Sequence, residues 1–555
     1  MQTIADSNAE WNYKNPIIHA DYSDPDVIRV GNDYFLVASS FNCVPGLPIL
    51  HSKDLVHWRI VNYAVKKLPS PEYDTPQIGK GIWAPAIRYH KGRFYVYFSI
   101  PDDGIFCCYT DDPFGKWSEM LLVKKAKGWI DPCPFWDDDG RAYLVNAFAK
   151  SRIGFNSKLC ISRLSEDGLK VLDEGKIVFD GTQTQPTIEG PKLYKRNGYY
   201  YIFAPAGGVK HGWQTVLRSK NIYGPYEEKI VMHQGNTAIN GPHQGAWVET
   251  ENGEHWFVHF QDKGPYGRVV HLQPLTWLED DWCIIGIDQN GDGIGEPVLE
   301  YKKPSTSEKG STFFIECSDH FDKKELSLVW QWHANPKDEW FYIDCERSAL
   351  RLFAVGNKIS QDTINSLFYM PNLLLQKIPA ETFVATLKMR TNFSSFQSFA
   401  GLIVSGYRYS AIGLMKREDG IWLVQILGEI SENVVEKIVE EKKVEAEKIY
   451  LRLLMQKGAL CRFSFSLDGK NFEEFGVEFI PKEDIWTGSK IGVFCLNMSG
   501  NEGTFKDDIA EFDYFIIDKA CKGRKMAYEK IKRACQKELF CKDGKQRHCK
   551  VSRTY

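Results

Sequence analysis

Five stretches of this chain repeat one pattern: a short apolar segment, a polar turn with glycine, then a strand rich in aromatic residues. The copies are DPDVIRVGNDYFLVAS from Asp24, APAIRYHKGRFYVYFS from Ala84, DPCPFWDDDGRAYLVNA from Asp131, EGPKLYKRNGYYYIFAPA from Glu189 and HQGAWVETENGEHWFVHF from His243. Their turn glycines are Gly31, Gly92, Gly140, Gly198 and Gly253, a period of about 50 to 60 residues. One short meander of strands cannot bury both of its faces, so such copies must pack against one another. Five of them make a five-bladed β-propeller. Inner strands start at the central axis, so Asp24, Asp131, Glu189 and His243 are expected to meet in one pocket. The second halves, such as ILHSKDLVHWRIV and VLRSKNIYGPYEEKIVM, read as outer hairpins with an aromatic residue after a polar turn. CISRLSEDGLKVL of the third blade fits that pattern less well. A plain β-sandwich with similar turns is the alternative.

At 555 residues the chain is too long for one core. The expected fold is all-β: the propeller over 12–300, then a β-sandwich (jelly-roll, concanavalin-like) over 313–517, whose many short strands begin with FFIECSDHF. EYKKPSTSEKGST (300–312) reads as the linker between them. ENVVEKIVEEKKVEAEKIY (432–450) is rich in helix formers, yet its apolar residues lack a steady 3.6-residue spacing, so it reads as an exposed hairpin; a short helix is the alternative. The tail 518–555 has 13 Lys or Arg against four acids, with Cys521, Cys535, Cys541, Cys549 and His548. Its spacing is too loose for a zinc knuckle, and a flexible or partly helical basic tail is expected.

A net charge of −3 argues against a general nucleic-acid binder. No 18-residue apolar stretch and no basic-then-apolar start are present, which argues against a membrane span and favours the cytoplasm. The 14 Cys are scattered without paired zinc-ligand spacing and read as reduced core thiols. DQNGDGIGE (288–296) resembles the start of a calcium loop, but the twelfth position is Leu299, so a tight turn is expected. The pattern is compatible with an oligomer.

Three carboxyl groups in one pocket suit glycoside hydrolysis. One gives a proton to the leaving oxygen, a second takes one from water, and a third raises the pKa of the donor. Asp24, stiffened by Pro25, suits the base. Glu189 has a longer side chain, and Gly190 leaves room for a leaving group, which suits the acid. Asp131, again before proline, is left as the tuning group. Blades hold such groups apart, so water fits between base and sugar, as inversion at roughly 6.5–9.5 Å requires. The aromatic content of 14% also suits stacking on sugar rings, and a carbohydrate-binding propeller without catalysis is the competing class.

At these residues the chain resembles glycoside hydrolase family 43, the β-xylosidase and α-L-arabinofuranosidase family. The matching stretches are NPIIHADYSDPDVIRV, ILHSKDLVHW, GIWAPAIRYHKGRFYVYFS, DPCPFWDDDGRAYLV, TIEGPKLYKRNGYYYIF, GWQTVLRSKNIYGPYE and NGPHQGAWVET. The resemblance covers about residues 12–517, since the second domain is similar to the β-sandwich of the xylosidase-type members. It implies an inverting exo-acting hydrolase that takes xylose or arabinose from xylan-derived oligosaccharides, β-xylosidase preferred, with an arabinofuranosidase or arabinan-degrading enzyme as the alternative. It assigns Asp24 as general base, Asp131 as pKa modulator and orienter, and Glu189 as general acid. It implies that Arg268 reaches the base and the sugar, that Trp83 and Phe41 line the sugar pocket, and that His243 lies near a calcium ion or water at the axis. No cofactor is implied as required. The chain departs from the pattern after Phe41, where Asn42, Cys43 and Val44 stand in place of a second aromatic residue.

Overall fold

The computed structural model describes residues 11–307, 312–356, 366–432, 434–446 and 448–520. Cys521 and the rest of the basic tail lie outside them. Five four-stranded antiparallel sheets follow one another along the first half, each a simple meander. Their inner strands are Asp26–Val30, Ala86–His90, Trp129–Trp136, Lys192–Arg196 and His243–Glu249. The inner strand of blade I lies against those of blades II and V, so the ring is closed. Where the turn is short its chemistry is plain: Asn197 and Gly198 (φ +49° and +78°) form the two-residue, left-handed hairpin turn that matches strand twist. The weakly patterned hairpin of blade III is present too, as Lys158–Leu164 and Lys176–Asp180.

The linker expectation is corrected at its start. Glu300–Lys302 pairs antiparallel with Asn12–Lys14 and clasps the two ends of the propeller. Asn15 completes the clasp. Its side-chain amide donates to the carbonyls of Leu272 and Val298 at 2.8 Å each and accepts from the Leu272 N–H at 2.9 Å. The pair, with the Ile18–Val270 bridge, adds to the direct contact between the inner strands of blades I and V.

In the second half, fourteen strands join in one hydrogen-bonded network folded into a sandwich. The long strand Gly503–Asp518 pairs with both Ala349–Gly356 and Phe383–Asn392. The charged stretch after 432 is a strand, Val434–Lys443, paired with Gly420–Ile430 as a hairpin; exposed Glu and Lys on an edge discourage pairing with other chains. It lies beside the other edge, Glu473–Phe479. Between them the Gln425 amide donates to the Val477 carbonyl (3.0 Å) and accepts from its N–H (2.7 Å), as a ladder residue would. FFIECSDHF is not a strand. The chain from Phe313 runs irregularly along the propeller, with Arg59 4.1 Å over the Phe313 ring.

One hydrophobic cluster runs without a break from blades I and V, through Leu36, Trp58, Trp256 and Leu272, into the sandwich at Trp332 and Leu374. The Asn335 side chain bonds both the N–H and the carbonyl of Leu68. A joint of this kind resembles a domain interior more than a docking contact, so the two halves form one body. Among the described residues no helix is long and apolar enough to cross a membrane.

Candidate active site

Asp24, two residues before its inner strand, and Asp131, the third residue of its own, share one strained state, with φ of +55° and +54°, each directly before a proline. A left-handed conformation costs a non-glycine residue about 1–2 kcal/mol, less for Asp than for most. In blade IV the left-handed residue before proline is Gly190 (φ +58°), so Glu189 stands one residue ahead of the repeat position. The three acids are therefore not strictly equivalent. Gly190 also corrects an expectation. A side chain there would not face a leaving group: its Cβ would come within 2.6 Å of Gln244, which fills the space.

Asp24 is 4% exposed and fully engaged. Its Oδ2 accepts from Ser23 Oγ at 2.8 Å and Ser39 Oγ at 2.5 Å, and its Oδ1 accepts from Arg268 Nη1 at 3.1 Å. The same Nη1 donates to Ser23 Oγ at 2.8 Å. Arg268 thus reaches Asp24 as expected, and its guanidinium lies 4.7 Å over the Phe260 ring.

Asp131 is 2% exposed, and its Oδ2 accepts the Gly190 N–H at 2.8 Å. It therefore grips the peptide next to Glu189, which fits an orienter. Burial, and then the charge of Glu189, push the Asp131 carboxyl up to about 8. The Gly190 N–H and Lys192 pull the other way, and Asp24 adds to the rise. The raised value favours the neutral form of the Asp131 carboxyl at neutral pH. Glu189, with its side chain 31% exposed, is the member that can reach a glycosidic oxygen. Its Oε1 lies 2.9 Å from His243 Nε2, and the His243 ring is wholly buried.

A stability test follows from Asp131. Its unfolded carboxyl ionises near 4 while the folded one holds its proton to about 8. Between those values the folded state binds more protons, so stability falls as pH rises. Asp131→Asn keeps an oxygen for Gly190 and removes this penalty. The variant should be more stable than wild type at pH 8 by about 2 kcal/mol or more, with the gap closing toward pH 4. Urea melts at the two pH values measure it.

The resemblance implies a calcium ion or water near His243 at the axis. His243 Nδ1 and Gln244 Oε1 are buried without a protein partner. Calcium takes six to eight oxygens. Among the described residues no group of three or more His, Cys, Asp or Glu is placed to hold a metal. One nitrogen and one amide oxygen do not fit a calcium ion held directly by protein. His243 Nε2 is the nitrogen that meets Glu189. In DQNGDGIGE, Asp288 accepts the N–H groups of Gly291 (2.7 Å) and Gly293 (2.9 Å), which makes a tight turn.

Trp83 donates from Nε1 to the Gly79 carbonyl at 3.1 Å, with the Arg152 guanidinium 5.1 Å over its ring. Phe41 is buried, and its backbone exchanges two hydrogen bonds with Ile82, so it steadies the loop that carries Trp83. The departure after Phe41 has a use. Asn42 donates to the His333 carbonyl at 2.8 Å, and Val44 pairs with Trp332, so these residues dock the sandwich.

The residue that the sequence reading missed is Trp486. It stands on a sandwich loop, 47% exposed, 6.3 Å from Trp83 edge-on and 5.7 Å from the Arg268 guanidinium. Ser23, Ser39, Gln244 and Asp21 were missed as well. Asp21, Ser23, Ser39 and Gln244 lie inside the quoted stretches, but nothing local marks their roles, and Trp486 lies outside every quoted stretch.

Known proteins share both halves of this arrangement. Residues 13–283 match the family described as Glycosyl hydrolases family 43, and residues 318–518 match the Beta xylosidase C-terminal Concanavalin A-like domain. A Xylanibacter ruminicola protein assigned as a beta-xylosidase is 40% identical over 490 residues, covering 87% of this chain and 86% of its own length. A beta-xylosidase of Formosa agariphila is 32% identical, with 90% of each chain covered. The crystal structure of xylan beta-1,4-xylosidase from Bacillus halodurans C-125 superposes with a TM-score of 0.78 at 26% identity, covering 91% of this chain and 100% of that one. The chain belongs to glycoside hydrolase family 43 and carries the C-terminal concanavalin A-like domain of that family's β-xylosidases.

Proposed function

We propose that this protein is an inverting exo-β-xylosidase that removes xylose from the ends of xylan-derived oligosaccharides. Asp24 acts as general base, Glu189 as general acid, and Asp131 as the pKa modulator that orients Glu189. The observation that carries the reading is the grip of Asp131 on the Gly190 N–H, which joins the buried carboxyl to the peptide bearing the exposed one. Arg268 donates to Asp24 and fixes the orientation in which it activates water. The three carboxyl groups suffice for this chemistry. Trp83 and Phe41 belong to the sugar pocket in this reading, and Trp486 closes one side of it, which favours a chain end over a mid-chain segment.

Relatives named as beta-xylosidases support the choice of sugar. A second reading, α-L-arabinofuranosidase, draws on a non-reducing end alpha-L-arabinofuranosidase of Bacteroides ovatus, 28% identical with 92% of this chain covered. NMR of the first product from xylobiose tests the proposal. α-Xylose appearing before mutarotation supports it. β-Xylose first, or binding without product, overturns it.

Trp486 gives a separate prediction. Trp486→Ala should raise KM for xylobiose about tenfold, as loss of one aromatic contact does, and change kcat for nitrophenyl xyloside less than threefold. Steady-state kinetics on both substrates decide it.

A further inference from the structure

Trp486 has φ +69°, a left-handed conformation that a bulky residue keeps only where its surroundings hold it. Those surroundings are buried charges at the joint between the two halves. Asp21, 2% exposed, uses both oxygens of its carboxylate on backbone N–H groups. Oδ1 accepts from the Arg268 N–H at 2.8 Å, and Oδ2 accepts from the Gly488 N–H at 3.0 Å. One bond belongs to the propeller strand whose side chain holds Asp24. The other belongs to the sandwich loop that carries Trp486. Across the same loop, Lys490 Nζ donates to Thr487 Oγ1 (2.8 Å) and the Gly488 carbonyl (3.2 Å), and Thr487 Oγ1 donates to Asp484. The Ser489 N–H donates to the Pro265 carbonyl at 2.9 Å, which ties the loop again to the turn before Arg268.

We propose that Asp21 is a positioning residue that sets the Arg268 strand and the Trp486 loop against each other, so that the grip on the base and the fit of the sugar are fixed by one carboxylate. The proposal deepens the reading of the site given above and rests on it. Asp21 touches neither substrate nor the reacting atoms. It acts through Arg268 on the orientation of Asp24, which is felt in kcat, and through Gly488 on the place of Trp486, which is felt in KM.

The test uses the full chain. Asp21→Ala removes both bonds. Amide hydrogen exchange should rise at Tyr266–Arg268 and at Thr487–Ser489 and stay unchanged in the blade III strands. kcat on nitrophenyl xyloside should fall about tenfold or more, and KM for xylobiose should rise about fivefold, as loss of hydrogen bonds to a charged group implies. In the Trp486→Ala background the further rise in KM should vanish while the fall in kcat persists. Thr487→Val loosens only the loop. It should raise KM about threefold, raise exchange at Thr487–Ser489, and leave kcat on nitrophenyl xyloside unchanged.

Unchanged exchange at both loops in Asp21→Ala overturns the proposal, whatever the substrate turns out to be. Raised exchange with kcat and KM both unaltered overturns it also, since Asp21 would then only stabilise the fold. So does a KM effect of equal size with and without Trp486. If Asp21→Ala does not fold, Thr487→Val decides alone, and an unchanged KM there counts against the proposal. A wild-type enzyme inert on every xyloside would end the reading of the site, yet the exchange data would still report on the anchor.

Discussion

Glu189→Gln should reduce kcat/KM on xylobiose by about 10³-fold or more while sparing xylosides with acidic phenol leaving groups. Glutamine fills the same space and can still meet His243, but it has no acidic proton to give. A sugar leaving group departs as an alkoxide unless it is protonated, so it bears the whole loss. A dinitrophenolate departs unaided. The plot of log kcat/KM against leaving-group pKa should therefore be much steeper for the variant than for wild type. Loss of equal size across all leaving groups would mean that Glu189 only shapes the pocket. The substitution also removes one of the two main causes that raise Asp131, whose carboxyl should then ionise at lower pH. The pH dependence of stability should flatten accordingly.

Asp24→Asn should lower kcat by about 10³-fold on every substrate, whatever its leaving group. Base catalysis acts on the attacking water, so good leaving groups give no relief. This flat response is what separates the variant from Glu189→Gln. Asparagine keeps an oxygen for Arg268 and can meet the hydroxyls of Ser23 and Ser39, so the backbone should hold. It leaves the Arg268 guanidinium without its carboxylate, 9% exposed against a partner 5% exposed. Breaking a buried pair on one side is costly, so the melting temperature should fall, and kinetics belong at temperatures where the variant is folded. Retention of full activity on nitrophenyl xyloside by folded Asp24→Asn would remove Asp24 from the role of base.

The propeller was legible because its signals are local. Alternation along each inner strand, and turns such as Asn197-Gly198, act within a few residues, and five copies multiply a weak pattern. Asp24, Asp131, Glu189 and His243 could be gathered on the same ground, since repeat position and axial position coincide. Where the repeat slips the reading slipped as well. Glu189 lies one residue from the equivalent place because Gly190 takes the left-handed position, and only backbone angles reveal it. Gly190 was misread because its neighbour, Gln244, belongs to the next blade. Glu300–Lys302 passed for linker because its partner strand, Asn12–Lys14, lies at the opposite end of the propeller.

From the chain alone came the number of blades, the acids at the axis and the two-part architecture. All three follow from periodicity, turn chemistry and residue type, which are short-range properties. The tertiary structure decided which oxygen of Asp24 meets Arg268, which carboxyl of the pair is sealed and which is open, and that Trp486 from the sandwich stands beside Trp83 and Arg268 of the propeller. Charge sharing and enclosure depend on distances between groups far apart in sequence, set by packing across the joint. No local pattern encodes a contact whose two halves are placed by different cores.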